Sequence, residues 1–470
     1  CNSRCQMCNI WQKKLDYQIT PKELATALDN PLFSEVRSVG VNGGEPTLRK
    51  DLSDLVEVLY RELPNLSNIS LITNAYQDQI VIQRISEVGR VVKHYGGNLD
   101  VMVSLDGVGE VHDLVRGKPN NFERAVRVID YIQASEEVNT ARLGCTVIRD
   151  NVYDLHNLLE FAIGKEMYIK YRIGIPHQRL YSENVVTPFA LTFEELYHFV
   201  LFLENLIMYY ESSDGQILFY QSLIDQLIYG KPRSAGCDWQ HRGVTLSARG
   251  ELLYCAVKSK TLGSAVKENP EELYFGNSDH LAHIIRNDCD SCLHDYVGLP
   301  SRSALLRLYQ RKLAARLQLP PGLKKIPLAN RARFLRQKSR FDSRLKSFGV
   351  NGAALSDITP AVQMPPRTAS NPNVLVCGWY GTETLGDKAI LGGVVRAIKA
   401  NFAQATFHLA SLETYVSKMT VRQMPELENC SVHTIPEALQ LVNSMDMVVF
   451  GGGPLMAISE LAEVLAIFQK

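Results

Sequence analysis

Between residues 36 and 211 the apolar positions follow two alternating rhythms. Short apolar runs at 36–41, 69–72, 101–105, 143–148 and 168–175 predict strands. The intervening stretches space their apolar residues three or four apart, as with Leu52, Leu55, Val56 and Leu59. That spacing predicts helices there and over 79–94, 122–134, 152–164 and 193–211. Such alternation predicts an α/β domain with a parallel sheet and covering helices. Ligands of such sheets gather at the carboxyl ends of the strands. Over 226–300 helical periodicity fades, while glycines and cysteines collect. Residues 301–372 read as a basic helical connector running into a Pro-, Asn- and Ser-rich linker. A second α/β pattern occupies 373–470, with a strand at 374–376, a glycine-rich turn, a helix at 387–401 and a strand at 447–450.

Composition narrows the function classes. A chain of 470 residues exceeds one ordinary core and predicts two or three domains. Apolar residues at 46% and charged residues at 21% are ordinary for a soluble protein. Net charge is zero, which gives no global electrostatic case for nucleic acid or membranes. No apolar run is long enough to span a bilayer; the nearest, 199–210, is broken by Glu204 and Asn205. Residues 302–346 carry fourteen Lys or Arg against one acid, Asp342. That segment could meet a polyanion, but Leu305, Leu306, Leu308, Leu313 and Leu317 interleave with the charges as an amphipathic face, and a solvated connector is the simpler reading.

The ten cysteines change the picture further. Cys1, Cys5 and Cys8 form one group, and Cys237, Cys255, Cys289 and Cys292 a second. Cys145, Cys377 and Cys430 stand alone and read as small hydrophobes. Two groupings in a long chain favour metal or cluster ligation in a reducing, cytoplasmic compartment. Three thiolates spaced C-x3-C-x2-C would leave one iron of a four-iron cube open, whereas a structural zinc site would need a fourth ligand nearby.

In that spacing, with Trp11 following, the loop resembles the cluster loop of the radical S-adenosylmethionine (SAM) superfamily. Further motifs follow in the family's order: Gly43-Gly44-Glu45-Pro46, Thr73-Asn74, Ser104-Leu105-Asp106-Gly107, His112-Asp113, Arg116-Gly117 and Asn151. The resemblance spans about 1–210 and implies a partial (β/α)6 radical SAM barrel. It implies that Cys1, Cys5 and Cys8 hold a 4Fe–4S cluster and that SAM lies along Gly43, Gly44, Glu45, Pro46, Ser104, Asp106, Arg116 and Asn151. Glu45 would take up the SAM ammonium, Ser104 its ribose and Arg116 its carboxylate. The family's first strand would precede Cys1, so an upstream segment is expected.

The second cysteine group, with Gly250 opening a G-x4-C element, resembles the SPASM or shorter Twitch auxiliary-cluster domain over 226–300. It implies a second 4Fe–4S cluster; a four-cysteine zinc site remains the alternative. The run from Asn373 through Gly378, Gly381, Gly386 and Asp387, together with 448–455, resembles the amino-terminal part of polysaccharide pyruvyl transferases, within a Rossmann-like α/β domain. Thr384 and Ala457 depart from that family's pattern. The combined expectation for 1–225 and its appended segments is reductive SAM cleavage acting on a small-molecule or glycan substrate, served by a flavodoxin- or ferredoxin-like electron donor. Peptide modification and a non-catalytic zinc scaffold are the alternatives.

Overall fold

The computed structural model describes residues 1–13, 16–306, 308–309, 371–382, 385–451 and 467. Most of the basic segment, most of the linker, Thr384, Ala457 and the run after Gly451 lie outside the described residues. The chain divides into two compact units, 1–311 and 312–470.

The first unit opens with α1 (Pro21–Leu28), started by a capping box in which Thr20 and Glu23 satisfy each other's backbone. Strands β1 (Ser38–Val41), β2 (Asn68–Thr73), β3 (Asn98–Ser104), β4 (Thr140–Val147) and β5 (Tyr168–Ile173) then form one all-parallel sheet in chain order. Helices α2 (Leu52–Glu62), α3 (Asp78–His94), α4 (Glu110–Arg116), α5 (Asn121–Ala134) and α6 (Leu155–Gly164) make the crossovers. The expected strands and helices are all found, with β3 and β4 each starting three residues earlier than the apolar runs. Polar residues there escape the pattern because one sheet face is itself polar. On β3, Leu99, Val101 and Val103 are fully buried, while Asp100 pairs with Arg142 of β4 on the other face. Met102 and Arg172 meet beside Gly144 on that second face, where a Cβ would collide with Met102.

The helix expected over 193–211 begins at a Thr192–Glu195 capping box as α7 (Phe193–Asn205), then widens into a π turn over Leu206–Tyr210. Helix α8 (Asp214–Tyr229) crosses the expected boundary at 225 and stops where Gly230 turns left-handed. Beyond it lie a small antiparallel sheet, β6 (Thr245–Leu246), β7 (Glu251–Leu253) and β8 (Gly263–Ser264), and two helices, α9 (Pro270–Gly276) and α10 (Ser278–Asn287). Those helices are shorter than the apolar pattern can reveal; Asn269 starts α9 by accepting from the backbone of Glu271 and Glu272.

In the second unit β9 (Asn373–Cys377), α11 (Leu385–Asn401), β10 (Thr406–Ser411), α12 (Thr414–Gln423), β11 (Ser431–Thr434), α13 (Ile435–Leu441) and β12 (Met447–Phe450) follow in turn. The parallel sheet has the order β11-β10-β9-β12, so its winding reverses between β9 and β12. Gly378 and Gly451 touch at that reversal, where a Cβ on Gly378 would strike the Gly451 carbonyl. Cys145 and Cys377 are fully buried within strands, and Cys430 is partly buried against the core.

Candidate active site

The cysteine loop lies across the carboxyl ends of the first sheet. Its backbone is held at three places: Arg4 N–H donates to the Arg116 carbonyl (3.0 Å), Gln6 N–H to Val115 (3.0 Å) and Asn9 N–H to Leu180 (2.9 Å). Two glycines make room for it. A Cβ on Gly44 would stand 2.7 Å from the Cys1 Cβ and 2.9 Å from Ile10. Gly117 ends α4 at φ +61°, and a Cβ there would strike the Arg4 carbonyl. Met7 is buried between Val115 and Ile148, anchoring the loop between the thiols.

Cys1 receives the Asn74 amide N–H at 3.8 Å, and Cys5 receives Arg116 Nη1 at 3.7 Å. Burial pushes the Cys5 thiol up, and Arg116 opposes it. The three thiols, with N–H donors aimed at two of them, suit soft-metal ligation as thiolates.

Glu45 is buried behind this loop. Its Oε1 accepts from Thr47 N (3.2 Å), Thr47 Oγ1 (2.7 Å) and Thr73 Oγ1 (3.1 Å), and its Oε2 accepts from Asn74 N (2.6 Å). Burial raises its carboxyl above the ordinary range, against the pull of these donors. Glu45 therefore ties the exit of β1 to the exit of β2, and Pro46 starts the short turn that follows it. Gly43 is open on the side where its Cβ would point.

Asp106 and Arg116 form a buried ion pair at 2.6 Å, close but not aligned as a hydrogen bond. Asp106 Oδ1 also accepts from Thr146 N at 2.8 Å. Arg116, expected to face a carboxylate of SAM, thus already serves Asp106 and Cys5; the charge partner lies ten residues back on the β3 exit, which no local motif announces. Asn151 spends both amide hydrogens on the Asp106 and Thr146 carbonyls (2.8 and 3.0 Å) and accepts from Ile148 N (2.8 Å). It clamps the exits of β3 and β4. Ser104 ends β3, is 8% exposed, and among the described residues has no recorded side-chain hydrogen bond. His112 is fully buried; its Nδ1 accepts from Asp106 N at 3.0 Å. Its pKa lies well below the usual histidine value, first because of burial and then Arg116, so the ring is neutral with its proton on Nε2. The Asn121 amide 3.2 Å away must turn its oxygen to that proton.

The second thiol group also converges. Cys237, Cys255, Cys289 and Cys292 line one cavity with Trp239, Tyr254, His294 and Tyr296, while Cys145 is not among its walls. Burial raises the Cys237 thiol to about 11. Arg233, missed by sequence reasoning, organises this region by donating to the carbonyls of Gly236 (3.0 Å), Cys292 (2.8 Å), His294 (2.8 Å) and Tyr296. Asp295 then reaches the polar face of the first sheet, pairing with Lys170 (2.9 Å) and Arg172 (3.7 Å) of β5. Among the described residues, no group of three or more His, Cys, Asp or Glu is tight enough to grip a single metal ion.

Residues 1–162 match the Radical SAM superfamily model. The Fe-coproporphyrin III synthase of Methanosarcina barkeri is 29% identical over 33% of this chain and 36% of its own length. The mycofactocin maturase MftC of Mycolicibacterium smegmatis is 30% identical over 34% and 39%. The subtilosin biosynthesis protein AlbA of Bacillus subtilis is 21% identical over 58% and 57%. The chain thus spans between about a third and just over half of these relatives. A structure of native anSMEcpe with bound AdoMet and the Kp18Cys peptide aligns at 18% identity and a TM-score of 0.46, over 66% of this chain and 92% of that one. Residues 1–162 are therefore a Radical SAM superfamily domain.

Proposed function

We propose that this protein reductively cleaves SAM at a 4Fe–4S cluster held by Cys1, Cys5 and Cys8, and that Cys237, Cys255, Cys289 and Cys292 hold an auxiliary cluster. The observation that carries the first part is the seating of the three-cysteine loop on Gly44 and Gly117, above the exits of β1 to β4. When bound, the cluster and SAM together supply a one-electron cleavage that ends in hydrogen abstraction from a substrate. The chain's residues position and shield that chemistry. Glu45, Asn151 and His112 hold the strand exits at fixed separation. Gly43, Gly44 and Pro46 shape the turn beside Cys1, where carbonyls and the remaining acceptor capacity of Glu45 Oε2 would meet the SAM ammonium. Ser104 offers a hydroxyl for a ribose, and the Asp106–Arg116 pair fixes the charge beside Cys5.

Support for the auxiliary cluster is the cavity shared by four thiols on segments 55 residues apart at their extremes, from Cys237 to Cys292. Four thiolates close a cluster completely. Peptide modification is the favoured reaction class, because a maturase and a bacteriocin biosynthesis protein stand among the similar sequences. A glycan or nucleotide-linked sugar is the second reading. It rests on the glycine-rich turn and Asp387 at the winding reversal of the second unit, which resemble a pyruvyl transferase opening.

The test is incubation of reduced, iron-reconstituted protein with SAM, followed by chromatography for 5′-deoxyadenosine. The wild type should form it. The triple variant Cys1→Ala, Cys5→Ala, Cys8→Ala should form none while retaining iron at the second group. Nucleoside production by the triple variant at the wild-type rate would overturn the assignment.

A further inference from the structure

The turn after β5 carries two polar groups that the proposed chemistry leaves without a task. His177 is 4% exposed, and neither ring nitrogen has a hydrogen-bond partner. Arg179 is half-buried, its Nε is shut off from solvent, and among the described residues no carboxylate pairs with it. Buried imidazole and guanidinium nitrogens rarely go unsatisfied, so each orphan asks for an explanation.

The turn is not loose. Leu180 N–H and Ser182 N–H donate to the His177 carbonyl at 3.1 and 3.2 Å, and Ser182 Oγ accepts from His177 N–H at 3.0 Å. Nor is it remote. The Leu180 carbonyl accepts from Asn9 N–H at 2.9 Å and faces Cys8 Sγ at 4.0 Å, and the Tyr181 carbonyl accepts from the Asn9 amide at 3.0 Å. The turn is therefore bonded directly to the first cysteine loop. On its other side the His177 ring meets His294 edge-on at 5.6 Å, and His294 lies 4.0 Å from Tyr296, which stacks on Trp239 at 3.9 Å. His294, Tyr296 and Trp239 are walls of the four-cysteine cavity. His177 and Arg179 thus stand between the two thiol groups, where a substrate of the proposed chemistry has to lie.

Local charge favours one class of ligand. Asp295 is the acid beside this cluster, and Lys170 and Arg172 already hold it. Arg179 adds a positive charge that, among the described residues, no carboxylate pairs with. A guanidinium fork and an imidazole N–H match the two acceptor edges of an oxyanion.

Resting on the radical SAM reading, we infer that His177 and Arg179 form a substrate-binding site for an oxyanion, a carboxylate or a phosphate, held beside Cys8. A peptide would present the first and a nucleotide-linked sugar the second. Neutral His177 donates from one nitrogen only, in keeping with burial lowering its pKa to about 3, so Arg179 supplies the charge and His177 the direction.

Phenylglyoxal modification mapped by peptide mass spectrometry tests the site residue by residue. The reconstituted protein, saturated with SAM, is treated with the reagent alone, with millimolar acetate and with millimolar inorganic phosphate. Arg179 should be modified, and at least one anion should slow its modification severalfold; acetate protection identifies a carboxylate site and phosphate protection a phosphate site. His177→Gln should lose most of that protection. Arg233, with four of its five N–H groups bonded to carbonyls, should stay unmodified and so reports that each sample is folded; if His177→Gln exposes it, the wild-type arms alone decide. Absence of protection by both anions overturns the inference. So does blockage of Arg179 by SAM alone with no further effect of either anion, which would give the site to the cofactor. So does undiminished protection in folded His177→Gln. Wild-type 5′-deoxyadenosine formation, measured in parallel, separates failure of this site from failure of the underlying reading.

Discussion

Replacing Glu45 with Ala removes the acceptor of four donors at once. The two hydroxyls of Thr47 and Thr73 can rotate away from the lost carboxylate. The backbone N–H groups of Thr47 and Asn74 cannot turn away. Each orphaned buried donor costs about 1–3 kcal/mol, so the pair costs roughly 4 kcal/mol. At about 1.4 kcal/mol per tenfold, local opening should become roughly a thousandfold more frequent. Glu45→Gln is the discriminating variant. Its amide oxygen can serve the three donors at Oε1, but its NH2 then faces Asn74 N–H, and one orphan at about 2 kcal/mol gives roughly a thirtyfold effect. Hydrogen exchange of peptides covering 45–48 and 72–76, read by mass spectrometry, measures both. If Glu45→Ala accelerates exchange less than about threefold, or if the two variants behave alike, Glu45 does not join the strand exits as described. Because Asn74 also donates to Cys1, iron retention at the first thiol group should fall in the same order as exchange rises.

Arg116→Gln leaves the fully buried Asp106 carboxylate without its cation and should destabilise the first unit by about 3–5 kcal/mol, read as a lower urea midpoint; an unchanged midpoint would refute the pairing. Gly117→Ala should displace the cysteine loop while sparing the second thiol group, seen as loss of iron from the first site alone. For Asp295, burial by itself would raise the carboxyl, but Arg172 and Lys170 hold it well below the ordinary range. Its contribution is thus complete above about pH 4, the unfolded value, and is lost as pH falls below it. Asp295→Asn should lower the urea midpoint at neutral pH, and the gap from wild type should narrow as pH drops beneath about 4; a gap that widens in acid contradicts the sign.

Periodicity exposed the strands and helices of the first sheet because their outer faces bury continuous apolar stripes, as with Leu99, Val101 and Val103. It missed the charged face, since Asp100, Arg142, Lys170 and Arg172 pair only once the strands are side by side. Cysteine spacing and glycine motifs were legible because ligation and close approach restrict residue type locally. What each side chain does there was less so. Glu45, Arg116 and Asn151 were expected to face SAM, yet much of their bonding goes to neighbouring strand exits, whose partners are 2 to 45 residues away. Arg233 and His177 carry no motif, and their meaning comes from carbonyls and rings brought together by folding.

Arg233 has a consequence for assembly. One planar guanidinium gathers carbonyls from Gly236, Cys292, His294 and Tyr296, a fan that a lysine ammonium could not reproduce. The segments bearing Cys237 and Cys292 are therefore tied to each other through one side chain. In a small zinc domain, removing the metal unfolds the site. Here Arg233 adds bonds of its own between the segments that carry Cys237 and Cys292, so their approach does not rest on the thiols alone.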